Sequence, residues 1–405
     1  MTEQTGPLDG VRVVELGNFI AAPTAGRLLA DFGADVVKVE RPGTGDELRR
    51  WRLHGGDTSL LFRTLGRNKR SVTVDLRREE GQEIVRALAA RSDVLLENFR
   101  PGTLERWGLG PDVLRALNPR LVVVRVSGYG QTGPYRDRPG FGGVAEAIGG
   151  LRALTGYPDR PPTRVGVSLA DSVAGLYAVI GALMGLIRRD RDPGAMPGEV
   201  VDVALYEAVY SLMESLIPDF DAFGVTRGPA GSALPGVAPS NTYRCADGKY
   251  IVVSGNGDAI YARLMRAIGR ADLAADPRFA DNTGRVAHAA LLDDAISAWT
   301  ASLTQEAAEA VLLAASVPCG PILTAADIAK DPHFEARGMH ERHRVRVEGA
   351  HDTEVTFPGI VPALTERPGR TRALGPELGE HTETVLAELG VTGAAVDRLR
   401  ENGVI

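Results

Sequence analysis

The sequence predicts an α/β protein in which a doubly wound parallel sheet forms the larger part and a smaller α+β region interrupts the chain. Three observations carry this. Compact apolar runs alternate with helix-length amphipathic segments through the first half, the pattern of repeated βαβ units. A stretch rich in Gly, Pro and Ala, GPAGSALPGVAPS at 228–240, then breaks that pattern and leads into hairpin and helix signals. Finally, 405 residues suffice for two domains with cores of their own. The composition shifts place the boundaries at 1–227 for the first part of the large domain, 228–330 for the small domain with its linkers, and 331–405 for a further segment.

Taken in order, VRVVEL (11–16) reads as a strand, the next segment as a helix, and Asp35–Val39 as a second strand. SVTVDL (71–76), a helix from Glu79 to Ala90 and SDVLLENF (92–99) repeat the unit, and LVVVRVS (121–127) follows a helix at Pro111–Leu117. In such a sheet the functional loops lie at the carboxyl ends of the strands. GEVVDVALYEAVYSLMESLIPDF (198–220) reads as one more strand and a long helix. Beyond residue 228, NTYRCADGKYIVVSG has two strand runs around the turn Ala246-Asp247-Gly248, with amphipathic helices at Ala259–Ile268 and Ala289–Ala301. HRVRVEGAHDTEVTFPGI is strand-like, and GPELGEHT (375–382) is a loop before a last helix near Thr382–Leu389.

A net charge of −6 argues against a general nucleic-acid binder, so any anion site must be local. Cys245 and Cys319 have neither metal-ligand nor disulfide-framework spacing and read as small core residues in a reducing compartment. The polar start MTEQTGPLDG has no apolar targeting region, which points to a cytoplasmic location. None of His54, His288, His333, His340, His343, His351 and His381 has a second helix-spaced ligand; His340 and His343, three apart, read as solvent-facing, and no metal site is expected.

VGVSLADSVAGLYAVIGALMGLIRR, residues 165–189, reads as a buried helix of small residues. Ala170, Ala174, Ala178 and Ala182 fall on one face beside Gly175, Gly181 and Gly185, so another backbone can approach closely. Its apolar run, Val173–Ile187, is shorter than the ~20 residues that cross a bilayer. Asp171 is the one charge before Arg188 and Arg189. By itself an aspartate at a helix start is most simply a cap, as Ser168 could also be. The alternative is a carboxylate retained in an apolar setting for chemistry.

GYGQTG (128–133) matches GxGxxG after a strand, but Pro134 to Pro139 follow it as a loop rather than a helix, which excludes a dinucleotide fingerprint. A stronger constellation is Arg41-Pro42-Gly43, Arg77, Asn98-Phe99-Arg100-Pro101-Gly102 and Arg106, each after a strand run. Guanidinium forks at such loops suit phosphate oxygens, although any one of them alone is simply a surface arginine.

Together, LDGVRVVELG, ADFGADVVKVERPGTGDELR, GRNKRSVTVDL, LLENFRPGTLERWGL, VSGYGQTGPYRDRPGF and SLADSVAGLYA resemble the class III CoA-transferases. That family also includes formyl-CoA transferases, carnitine CoA-transferases and α-methylacyl-CoA racemases. The resemblance extends through SNTY and DGKY to the closing LGEHT. It implies an interlocked homodimer whose Rossmann-like large domain is built from both chain ends, with the small domain inserted. It also implies that Asp171 is the nucleophile and that coenzyme A or acyl-CoA enters as substrate, with no tightly bound cofactor. The CoA site implied by the resemblance comprises Ala21, Arg41, Val74, Leu76, Arg77, Asn98, Phe99, Arg100, Arg106, Ser127 and Phe141. The partners are then an acyl-CoA donor and a carboxylic acid acceptor.

Two departures from the family pattern matter. Its racemases carry a histidine shortly after the RPG segment, where this chain has Phe141, which cannot exchange protons. This favours transferase over the racemase alternative; a non-catalytic acyl-CoA binding protein is the other. Gly236-Val237-Ala238 aligns with the glycine-rich lid of formyl-CoA transferases but has one glycine instead of a run. PSNTYRCADGKYIVVSGNGD resembles the branch that uses succinyl-CoA and short dicarboxylic acids.

Overall fold

The computed structural model describes residues 6–191, 197–347 and 352–405; His351 and part of the strand-like 340s segment lie outside the described residues. The chain divides into two compact units, one of Met1–Leu151, Arg164–Phe223 and His333–Ile405, the other of Arg152–Thr163 and Gly224–Pro332.

In the larger unit six strands, β1 (Arg12–Glu15), β2 (Asp35–Glu40), β3 (Lys69–Thr73), β4 (Val94–Glu97), β5 (Val122–Ser127) and β6 (Val200–Ala204), form one sheet. Its order is β3-β2-β1-β4-β5-β6 and every pairing is parallel. This is the doubly wound Rossmann order, and its direction reverses between β1 and β4, where such sheets open a crevice for ligands. The strands are apolar on both faces because both are covered. On one face Val14, Val37, Val72 and Leu95 pack against Ile84, Val85 and Leu88 of α2 (Glu79–Ala89). Val385, Leu386, Val396, Leu399 and Val404, from the far end of the chain, complete that core.

The opposite face carries α1 (Ala21–Asp31) and α6 (Leu169–Arg191). Ala170, Ala174, Ala178 and Ala182 are fully buried, and a methyl on Gly175 would come within 2.8 Å of the Ala21 carbonyl oxygen. The small residues thus permit the close helix contact the sequence predicts. The expectation of a helix buried all round is corrected, however: Leu176, Ile180, Met184 and Ile187 stay exposed along the other side, Met184 by 66%. By length and composition this helix could cross a membrane, but its alanine face is packed inside the unit.

Two further expectations are revised. The long helix read after β6 is two short ones, Leu205–Tyr210 and Leu216–Phe223, separated where Glu214 takes a left-handed φ of 52°. Thr382–Glu388 is not the last helix, since Ala394–Glu401 follows it with Val396 and Leu399 turned into the core. Strands His340–Arg346 and Asp352–Pro358 pair antiparallel in the larger unit. His340 stacks on Phe334 and its Nδ1 lies 3.2 Å from Glu335, so its ring is covered rather than solvent-facing.

The smaller unit has a three-stranded sheet of Ser240–Arg244, Tyr250–Ser254 and Cys319–Pro321, its first two strands joined through the turn at Gly248. Tyr243, Ile251, Val253, Leu264, Phe279, Leu292 and Leu312 fill its core. Cys245 is buried there, and Cys319 packs against it from the edge.

Beneath the carboxyl ends of β1 and β2 lies a sealed ionic network. Lys38 Nζ is 2.9 Å from Glu15, 2.8 Å from Asp46, and donates to the Gly17 carbonyl at 2.7 Å. Lys69 Nζ lies 2.6 Å from the other Glu15 oxygen, and Arg49 grips Glu40 with two bonds of 2.7 Å. Three cations thus face three carboxylates, and removing one strands the rest without water. Glu15→Gln is expected to cost about 3–5 kcal/mol. Urea unfolding followed by circular dichroism checks this, and a wild-type midpoint would contradict it.

Candidate active site

The loop after β1 joins two features of the larger unit. Asn18 donates its N–H to Asn98 Oδ1 (2.9 Å), and Asn98 Nδ2 donates back to the Asn18 carbonyl (2.7 Å). These bonds clamp the ends of β1 and β4 together at the point where the sheet order reverses. Beside the clamp a cleft of about 170 Å³ is lined by Leu16, Asn18, Val39, Glu40, Arg41, Val74, Asp75, Leu76, Arg77, Phe99 and Trp107. Phe99 and Trp107 meet edge to face at 5.2 Å. An apolar, aromatic cleft with guanidinium groups at its rim has the chemistry for a nucleotide ring and its phosphates.

Five of the residues named from sequence, Arg41, Val74, Leu76, Arg77 and Phe99, therefore line one cleft, with Asn98 forming its clamp. Arg77 is held by Asp75, whose carboxyl drops to about 2 chiefly because the Arg77 guanidinium hydrogen-bonds it. Arg100 is exposed, and Arg106 donates to Thr103 Oγ1 at 3.0 Å from the short helix Thr103–Arg106. Ser127 is buried, its Oγ accepting the Gly130 N–H, and Ala21 is buried at the start of α1. Trp107 was not singled out in the sequence; a tryptophan eight residues after the Phe99 loop is its only signal.

Glu97, at the end of β4, accepts the Phe99 N–H at 2.7 Å while Arg125 on β5 holds its other oxygen at 2.7 Å. Burial pushes the Glu97 carboxyl up to about 7 despite that guanidinium. The same Arg125 reaches Glu105 at 2.7 Å, so one side chain fixes both the Phe99 loop and the helix bearing Arg106.

The second feature is Asp171, in the first turn of α6. Its carboxylate lies against Gly142, the first residue of α5 (Gly142–Ile148); a methyl there would overlap Asp171 Oδ2. Phe141, just before Gly142, is 63% exposed and touches Phe19 edge to face at 5.7 Å. Phe19 belongs to the same loop as Asn18, adopts a left-handed φ of 62°, and donates its N–H to Asp46 Oδ1 of the buried network. The loop after β1 therefore runs from the cleft to the wall beside Asp171.

One helical turn after Gly142 sits Glu146, fully buried, with Arg164 Nε 3.6 Å from its Oε2. Burial first, and the Glu146 charge second, push the Asp171 carboxyl up to about 6, while Arg164 opposes them. A carboxylate in the first turn of a helix is normally favoured by the dipole, by only ~0.3–1 kcal/mol. Here desolvation wins, as it does at sites built for reactivity rather than stability. Sequence reading missed Glu146 and Arg164; the one signal was that Glu146 shares a helix face with Gly142 at i, i+4.

Gly236, Val237 and Ala238 belong to the smaller unit. Asn282 donates to the Gly236 carbonyl and accepts the Ala238 N–H, while Arg285 donates to the Ala238 carbonyl, so the segment is pinned at both ends. GYGQTG lies in the loop after β5, and the next helix begins only at Gly142, as its exclusion from dinucleotide binding requires. Among the described residues no group of three His, Cys, Asp or Glu side chains could hold a metal ion.

A doubly wound sheet with an aromatic, guanidinium-bearing cleft at its switch point, joined by the loop after β1 to a desolvated carboxylate, has the layout of an enzyme site. The profile of CoA-transferase family III matches residues 8–382, and the chain belongs to that family. It is 48% identical over 98% of both chains to succinyl-CoA–D-citramalate CoA-transferase of Chloroflexus aurantiacus. It is also 35% identical to succinate–glutarate CoA-transferase of Agrobacterium fabrum, over 96% of this chain and 97% of that one. A CaiB/BaiF family protein from Brucella suis superposes with a TM-score of 0.82 at 36% identity, over 95% of this chain and all of that one. The protein is an enzyme of the CoA-transferase type.

The Asp171 carboxyl carries a pH signature. In the folded chain it keeps its proton up to about 6, whereas unfolded it releases it near 3.8, so stability falls as pH rises through that window. Asp171→Asn should therefore leave stability unchanged near pH 3.5 and raise it at pH 7.5, after discounting for partial exposure, by on the order of 2 kcal/mol. Denaturation midpoints at the two pH values check this; an equal effect at both would refute it.

Proposed function

We propose that the enzyme exchanges coenzyme A between short dicarboxylic acids, with a succinyl-CoA-type thioester as donor, through covalent chemistry at Asp171. The observation that carries the reading is the Asp171 carboxylate, set against a side-chain-free Gly142 and made basic by burial. A carboxylate of that kind is a competent nucleophile toward a thioester once it is positioned and ionised. The relatives named for succinyl-CoA and D-citramalate and for succinate and glutarate supply the acid class.

Ionised Asp171 attacks the thioester carbonyl, forms an aspartyl acyl anhydride and expels the CoA thiolate. The thiolate attacks the aspartyl carbonyl and breaks the anhydride, which leaves an aspartyl-CoA thioester and frees the donor acid as its carboxylate. The acceptor carboxylate attacks that thioester, and the thiolate then takes the acceptor acyl group and regenerates Asp171. One thioester and one carboxylate enter, one of each leaves, and no proton is transferred. Phe141 beside the site fits this proton-free route and stands where the racemases of the family have their proton-exchanging histidine, which disfavours Cα isomerisation. The cleft of Arg41, Leu76, Phe99 and Trp107 would take the nucleotide of CoA, with Arg77, Arg100 and Arg106 around its phosphates.

Asp171→Ala is expected to abolish exchange of labelled CoA between two acids, by at least about 10⁴-fold, with the fold retained. Hydroxylamine added during turnover should leave a hydroxamate at residue 171 of the wild type; exchange persisting in the variant, or no hydroxamate, defeats the mechanism.

The reading includes a cytoplasmic homodimer, interlocked as the resemblance implies. Leu176, Ile180, Met184 and Ile187 on α6 and Ile217, Phe220 and Phe223 on the helix Leu216–Phe223 form exposed apolar surface, Phe223 by 80%, that a second copy would cover. Light scattering should give twice the 43.0 kDa chain mass, reduced by Met184→Glu; a monomeric wild type would overturn the assembly.

A further inference from the structure

The acids proposed as substrates carry a second carboxylate that takes no part in the exchange. It keeps its full charge through every step, unlike the reacting carboxylate, which becomes a neutral thioester. Near Asp171 it would meet two anions already in place, Asp171 itself and the fully buried Glu146. A third negative charge in a partly desolvated site is strongly disfavoured unless a permanent cation receives it.

Arg164 is the cation whose charge acts on Asp171. It contacts Glu146 through Nε at 3.6 Å. Its side chain is 54% exposed while Glu146 is sealed at 0%, so the pair has a buried holder and an open recognition end. A planar fork of this kind suits a carboxylate, and it stays charged at every working pH.

Resting on the transferase reading above, we infer that Arg164, held by Glu146, binds the non-reacting carboxylate of the acyl group and selects dicarboxylic over monocarboxylic thioesters. Arg164 receives the far end of the acyl chain while the reacting end lies at Asp171, whose carboxylate packs directly on Gly142. Glu146 is a positioning residue that acts through Arg164.

The test uses the first half-reaction, formation of the covalent adduct at Asp171 followed by mass spectrometry, with succinyl-CoA and butyryl-CoA compared. In Arg164→Gln, assayed well above pH 6 so that Asp171 is ionised with either thioester, the ratio of kcat/KM for succinyl-CoA to that for butyryl-CoA should fall about 30-fold or more. Arg164→Lys should recover part of the preference by charge alone, and Glu146→Gln should lose the same preference by a smaller factor. Equal losses with both thioesters, or unchanged preference in Arg164→Gln, would overturn the assignment while leaving the transferase reading intact. Wild type that forms no adduct from either thioester would overturn both.

Discussion

The six charged groups sealed beneath β1 and β2 are the constraint on which the site depends. Their contribution to net stability is small, because desolvating three cations and three carboxylates offsets most of the attraction between them. What they supply is direction. Lys38 fixes the Gly17 carbonyl and Asp46 fixes the Phe19 N–H, so the loop after β1 has its path set from below. That loop clamps Asn98 on one side and meets Phe141 on the other. Arg49 extends the network to the Pro376 carbonyl, tying in the chain's returning segment.

Two buried carboxyls then serve opposite ends of the site by different means. Glu97 has Arg125 and a backbone N–H as partners and spends them on holding the Phe99 loop in place. Asp171 has little beyond its own backbone N–H and the charge of Arg164, against burial and Glu146. The first is a strut and the second is left with its charge largely uncompensated, the environment that shifted carboxyls have at functional sites.

Much of the fold was legible because its signals are local. Alternating apolar runs and amphipathic segments marked every strand of the large sheet, and a single charge in an apolar helix marked Asp171. What escaped depends on partners distant in sequence. Lys38 and Glu15 look like ordinary polar positions of short strands, and only pairing of β1 with β2 brings them together. Glu146 resembles any surface glutamate of a short helix, and Arg164 lies in a polar loop; their proximity to Asp171 is a product of packing. The exposed side of α6 was misread because composition reports how apolar a helix is, not whether both its sides are covered. The break at Glu214 escaped because helix periodicity continues through it.

The close contact between α6 and α1 has a consequence for how this enzyme could change its diet. With Gly175 against the Ala21 carbonyl and Gly185 against Val122, the helix that carries Asp171 is keyed into its neighbours at two heights, so any shift of it meets backbone and β-branched side chain at once. Under the proposed mechanism, adaptation would be pushed out of the helices and onto the exposed segment that precedes Leu169, Arg164 included, where side chains can be exchanged without moving Asp171. New substrate preferences in such a scaffold would arise by redecorating a loop around a stationary carboxylate.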